Sequence, residues 1–119
     1  MATRVSKSPV VQDRVIVLVS EEESAGELFR FEYIACEVTP PPTDHVHTEQ
    51  EELVEVLQGT LRCRVAGIER VLCPGERIVI APGIAHAVWN EDPLGSRSIG
   101  EYRPAINAQR MFRAYIVEA

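Results

Sequence analysis

The chain has 119 residues, enough for one hydrophobic core and too few for two. Its aliphatic-rich, aromatic-poor composition, with eight prolines and seven glycines, fits many short strands joined by turns. A formal net charge of −6 without any run of lysine or arginine argues against a nucleic-acid face, so the acidic exterior reads as a solubility feature.

Residues 1–13 are polar, with a proline at position 9, and read as an N-terminal arm before a single domain over residues 14–119. No positive stretch followed by a long apolar core and a small-residue cleavage site is seen, and the apolar run at 15–19 is far too short to span a bilayer. A cytoplasmic protein is expected. RVIVLV at residues 14–19 predicts a first strand, and the acidic residues 21–26 a turn. Residues 28–38 predict a second strand, with Phe29, Phe31, Tyr33 and Ala35 on one face and Leu28, Arg30, Glu32, Ile34 and Cys36 on the other. Apolar residues on both faces suit a strand with core on one side and another sheet or subunit on the other. The aromatic stripe reads as core.

Three successive prolines, Pro40, Pro41 and Pro42, cannot donate to a ladder and form a stiff lead-in to TDHVHTEQEELVEVLQG at residues 43–59. In extended backbone His45 and His47 stand roughly 6.5–7 Å apart at Cα with both imidazoles on one side, which suits a shared metal ion. The polar run Thr48, Glu49, Gln50 reads as a turn that resets strand parity. After it Glu52, Val54 and Val56 share one face, while Glu51, Leu53, Glu55 and Leu57 share the other. A carboxylate on a valine face is costly to bury without a cationic partner, so Glu52 is assigned inward and Glu51 to the turn or rim, where it stays a second choice.

Gly59 turns the chain into residues 60–66, where Leu61, Cys63 and Val65 alternate with Arg62, Arg64 and Ala66. A hairpin at Gly67 leads to residues 68–72, and Pro74 and Gly75 turn the chain into residues 77–80. Pro82 and Gly83 force a turn before His86, and on the following strand His86, Val88 and Asn90 share a face opposite Ala87 and Trp89. Residues 98–103 and 111–117 predict two closing strands bridged by residues 104–109. About nine strands with regular turn signals predict an all-β fold, an antiparallel barrel or double-sheet jelly roll. Cys36, Cys63 and Cys73 are odd in number and lack a C-x-x-C pair, so they read as buried reduced thiols, with Cys63 open to a cavity-facing position.

Two stretches together resemble the paired motifs of the cupin superfamily. The first motif is Gly, five residues, His-x-His, three or four residues, Glu, six residues, Gly; it is matched by His45, His47, Glu52 and Gly59, with Thr39 in place of the leading glycine. The second is Gly, five residues, Pro-x-Gly, two residues, His, three residues, Asn; GERIVIAPGIAHAVWN follows it from Gly75 to Asn90, with Ala81 in place of the proline. Neither departure falls on a ligand position. The resemblance implies the cupin double-stranded β-barrel and a metal held by His45, His47, Glu52 and His86.

Three imidazoles and one carboxylate form a mixed nitrogen and oxygen shell suited to Mn, Fe, Co, Ni, Cu or Zn. Four protein ligands leave two octahedral positions free, which supports oxygenation, isomerisation or Lewis-acid chemistry on a small molecule. Candidate substrate-binding residues are Arg62, Arg77, Tyr33 and Tyr102, with Arg64, Gln58, Glu101 and Arg103 further out; Asn90 reads as a residue that stitches a turn. The expectation is a small metal-dependent enzyme, dioxygenase-like or isomerase-like. The alternative is a non-catalytic cupin that binds or senses a small ligand or metal. Leu53, Leu57 and the outward residues of 28–38 also predict a homodimer.

Overall fold

The computed structural model describes residues 12–117, so the arm expected over residues 1–13 lies outside the described residues apart from its last two positions. Eight strands follow in order: β1 (Arg14–Val19), β2 (Phe29–Ala35), β3 (Glu51–Gln58), β4 (Leu61–Val65), β5 (Ile68–Leu72), β6 (Arg77–Ile80), β7 (His86–Trp89) and β8 (Ser96–Arg103). A short helix α1 (Ala108–Met111) and a 3-10 turn (Arg113–Tyr115) come after them.

All strand pairings are antiparallel, in a five-stranded sheet ordered β1-β2-β8-β3-β6 and a three-stranded sheet ordered β5-β4-β7. The two sheets stay separate ladders, a jelly-roll arrangement rather than a continuous hydrogen-bonded barrel. The alternation in β3 comes out as its parity predicts: Glu52, Val54 and Val56 are buried and Glu51, Leu53 and Glu55 only half-buried. In β4 the alternation buries Leu61 and Cys63.

Two apolar clusters hold the layers together. Val54, Val56, Leu61, Cys63 and Leu72 join the two sheets at one end. At the other, Val15, Phe29, Phe31, Tyr102, Ala105 and Ala108 form the core, with Phe112 and Ile116 packed on it. The rings of Phe29 and Phe31 lie 4.9 Å apart, and Phe112 approaches Phe31 to 4.8 Å. The stripe on β2 is therefore core, as its sequence suggests.

The closing strand predicted at 111–117 is not formed. The helix and 3-10 turn take up residues 108–115, with Ala108 and Phe112 packed against the β1, β2 and β8 cluster, and only Ile116 is extended, in an isolated parallel bridge to Val15. Four-residue spacing places Ala108 and Phe112 on one side of the helical segment. Only Cys63 of the three cysteines is buried; Cys36 is half-buried beside Asp13, and Cys73 is exposed in the turn between β5 and β6. Cys63 packs in the inter-sheet core, and burial pushes its thiol up, which keeps it protonated.

Gly100, in the middle of β8, lies directly under the Phe31 ring, where an added Cβ would overlap three ring carbons. Gly100→Ala is expected to lower stability by about 1–3 kcal/mol, the usual effect of overfilling a packed core, read as a lower urea midpoint. An unchanged midpoint would mean that the ring is not held there.

Candidate metal centre

The segment carrying His45 and His47 is extended but forms no regular strand. Its anchor is a two-bond antiparallel bridge, His45 N–H to the His86 carbonyl and His86 N–H to the His45 carbonyl, both 2.9 Å. Gly83 N–H adds a bond to the His47 carbonyl at 2.8 Å. This docking brings three imidazoles together, with centroids 4.3 Å apart for His45 and His86, 4.9 Å for His45 and His47, and 5.2 Å for His47 and His86. Glu52 reaches the same point from β3, its Oε1 standing 2.9 Å from His86 Nε2 and 3.5 Å from His47 Nε2.

One donor atom from each of the four residues lies within 4.8 Å of all the others. Donors about 2.1 Å from an ion stand about 4.2 Å apart when opposite each other. The cluster can therefore close on one ion with side-chain movements below about an ångström.

The hydrogen bonds test the fit independently. His86 Nδ1 lies 2.8 Å from the Ile84 carbonyl, which can only accept, so Nδ1 carries a proton and Nε2 is the lone-pair nitrogen of the neutral ring. A lone pair facing a carboxylate oxygen at 2.9 Å needs a positive charge between them, either a proton or a metal ion. With no metal, a proton fills that role, and the hydrogen bond to Glu52 pushes the His86 imidazole above its usual range. Burial pulls His47 the other way, and His45 and His86 add to the lowering. His47 Nε2 is the one buried side-chain polar atom without a hydrogen-bond partner among the described residues, which suits a nitrogen kept for a metal.

Glu51 stands apart from this cluster, paired across the ladder with Arg103, so the inward carboxylate is Glu52. Tyr102 lies opposite Glu52 in the β3/β8 register, with its ring 5.6 Å from His47. Burial first and the neighbouring Glu52 charge second raise its phenol well above the usual range, so it stays a neutral O–H.

The cluster opens onto a cavity of about 520 Å³ between the sheets, with His45 and Glu52 on its wall beside Phe31, Tyr33, Tyr102 and Phe112. Tyr33 donates its hydroxyl to Asp13 Oδ2 at 2.7 Å. Of the four substrate-binding candidates, Tyr33 and Tyr102 line this cavity, whereas Arg62 and Arg77 do not. Arg62 lies on the outer side of β4, bonded to Glu91 at 2.8 Å, and Arg77 is exposed opposite Glu55 on the outer face of the larger sheet. The alternation that turns Leu61 and Cys63 inward sends the arginines out. Glu101 lies on the face away from the cavity, buried beneath Arg30 and Arg103, and Asn90 bonds the carbonyls of Glu37 and Asp92.

Two supporting residues have roles their sequence positions do not announce. Gln50 is buried and donates to the carbonyls of Pro104 at 3.0 Å and Ala105 at 2.7 Å, tying the chain after β8 to the head of β3. Its place in a polar run before Glu52 gave no sign of burial. Arg64 reaches from the outer side of β4 to Asp44 Oδ1 at 2.8 Å and the Pro42 carbonyl at 3.1 Å, with its guanidinium 5.3 Å from the Trp89 ring centroid. It straps the histidine segment to the smaller sheet.

The cupin domain profile matches residues 35–94. The chain belongs to the cupin family. No curated protein matches it in sequence. Solved structures with the same fold include KdgF from Halomonas sp., at TM-score 0.69 and 17% identity over 87% of this chain and 88% of that one. The protein TT1209 from Thermus thermophilus aligns at TM-score 0.67 and 19% identity, covering 83% of this cupin and 90% of its own chain. A predicted oxalate decarboxylase from Thermotoga maritima gives TM-score 0.70 and 14% identity over 77% and 80% of the two chains. At these identities the likeness is one of fold.

A single metal titration tests the whole arrangement. His45→Ala combined with His47→Ala is expected to abolish transition-metal binding while leaving the fold intact by circular dichroism, and Glu52→Ala to weaken binding far more than Glu51→Ala. Arg64→Ala is expected to weaken it about tenfold, as losses of residues that orient metal ligands do, with Arg64→Lys recovering little because a lysine cannot make the forked contact. Full metal occupancy in the double histidine variant would reject the ligand set, and the reverse glutamate ranking would transfer that role to Glu51.

Proposed function

We propose that this cupin is a metal-dependent enzyme acting on a small organic molecule, with one divalent transition metal held by His45, His47, Glu52 and His86. The carrying observation is that the four donors converge beside a cavity of about 520 Å³ which two of them, His45 and Glu52, help to line. A site meant only to store a metal needs no such space beside it. Bound there, a transition ion supplies Lewis-acid or redox chemistry of the isomerase-like or dioxygenase-like kind.

The chain's own residues have separate tasks. Ile84 fixes the His86 tautomer through its carbonyl, and the Arg64 contacts hold the segment that presents His45 and His47. Tyr102 keeps its proton and hydrogen-bonds Glu52, which orients that carboxylate from across the β3/β8 ladder. Tyr33 lines the cavity with its hydroxyl turned to Asp13, and burial followed by that hydrogen bond pushes its phenol up, so it too stays protonated.

The second reading, a cupin that binds or senses without turnover, draws on one observation. Apart from the metal donors, the titratable side chains on the cavity wall are Asp13, Glu37 and three tyrosines, with no further histidine among the described residues. Elemental analysis of protein purified without chelator or affinity nickel separates the readings when followed by oxygen-uptake and isomerisation screens. Bound transition metal with turnover supports the enzyme, metal without turnover of any compound supports the binder, and absence of metal rejects the metal site.

The proposal includes a cytoplasmic homodimer. No described helix is long and apolar enough to cross a membrane. Ile16, Leu18, Leu57 and Val79 are exposed on strands of the larger sheet, apolar area that a second copy would cover. Light scattering at micromolar concentration is expected to return a dimer mass; a monomer mass rejects this part.

A further inference from the structure

The cavity beside the donors has a chemical character of its own. Strand parity turns Phe31, Tyr33 and Ala35 of β2, Ser98, Gly100 and Tyr102 of β8, and Val54 of β3 into it, while Leu61 and Val88 close the opposite wall. Phe112 and Tyr115 enter from the C-terminal segment, bringing the aromatic side chains of β2, β8 and this segment to five. Phe31 and Tyr102 lie nearly parallel, 6.0 Å apart with 13° between their planes, and Phe112 stands 6.1 Å from Tyr102.

Charge on the wall is all of one sign. Asp13, Glu37 and Glu52 line the cavity, and no arginine or lysine does among the described residues. The nearby arginines are committed elsewhere: Arg62 to Glu91, Arg64 to Asp44 and Glu69, Arg30 and Arg103 to Glu101, and Arg97 to Glu32. Asp13 is held in place by Tyr33 and by the Cys36 N–H at 3.0 Å, so its charge is a fixed feature of the wall. Glu37 is exposed at the rim. A site built for a carboxylate or phosphate would normally present a guanidinium or ammonium to it. Here an entering anion meets carboxylates and aromatic rings and finds cationic help only at the metal.

We infer that the substrate is an uncharged, ring-bearing molecule with a polar oxygen at one end, and not a carboxylate or phosphate ester. The oxygen lies toward Tyr102 and the histidines, and the ring packs among Phe31, Phe112 and Leu61. This deepens the enzymatic reading above and rests on it for the position of the reacting oxygen, while the selection between neutral and anionic rings belongs to the cavity wall. A ring system is favoured because its flat faces match the aromatic walls with little loss of conformational freedom.

Isothermal titration calorimetry of the full chain, purified without chelator, tests this with two probes of the same shape, 1-naphthol and 1-naphthoate at pH 7. Naphthol is expected to bind at least about tenfold more tightly, the scale set by two carboxylates acting on one negative charge across partly hydrated space. Glu37→Gln, a change at an exposed position, is expected to narrow the gap by strengthening naphthoate more than naphthol. Naphthoate binding as tightly as naphthol, no binding of naphthol, or a gap unmoved by Glu37→Gln would each overturn the inference. Repeating the titration after chelator treatment keeps the two readings apart. Naphthol selectivity in protein that holds no metal as purified leaves this inference standing and removes the metal site, whereas a metal-loaded protein that prefers naphthoate does the reverse.

Discussion

A buried carboxylate must have a positive charge beside it, and Glu52 is where this protein meets that constraint. It sits on β3 in line with Val54 and Val56, where the Tyr102 hydroxyl across the β3/β8 ladder offers it a hydrogen bond but no charge. Its near neighbours are the nitrogens of His86 and His47. The Ile84 carbonyl determines which nitrogen of His86 is free, leaving carboxylate and imidazole to share a proton or a metal between them. The architecture around the site keeps these few atoms in register.

That register is assembled from three separate parts of the chain. β3 supplies Glu52 and is held on both sides, by β8 and by β6, so its inward face is rigid. The start of β7 supplies His86. The segment with His45 and His47 has no ladder of its own and depends on its bridge to His86 and on Arg64 outside the sheet. The weakest-held element thus carries half of the donors, which makes an outward-facing arginine important to an inward-facing site. Gln50 has the matching role beneath Glu52, where its amide satisfies two carbonyls after β8.

The cavity separates two kinds of recognition. The clustered histidine and glutamate donors stand at one side, while rings from β2, β8 and the C-terminal segment make the other side apolar. Tyr102 belongs to both, since its ring stacks with Phe31 and its hydroxyl stays protonated beside Glu52.

The chain's local patterns determined much of this. Alternation with period two put Glu52 inward and Glu51 outward once the polar turn was recognised, because a pleated strand leaves a residue only two directions. The histidine spacing, the glycine turns and the two cupin motifs were legible for the same reason: each depends on residues close together in the chain. Tertiary structure alone decided the rest. Ala108 and Phe112 show a four-residue spacing, yet in so short a segment the alternating apolar residues read equally well as a strand, and only the cluster from β1, β2 and β8 resolves the choice. Arg62 and Arg77 looked like substrate ligands until parity and their acidic neighbours placed them outside. Gln50, Arg64 and the ring-lined cavity depend on partners at least twenty residues distant in the chain, and such contacts leave no periodic trace in the sequence.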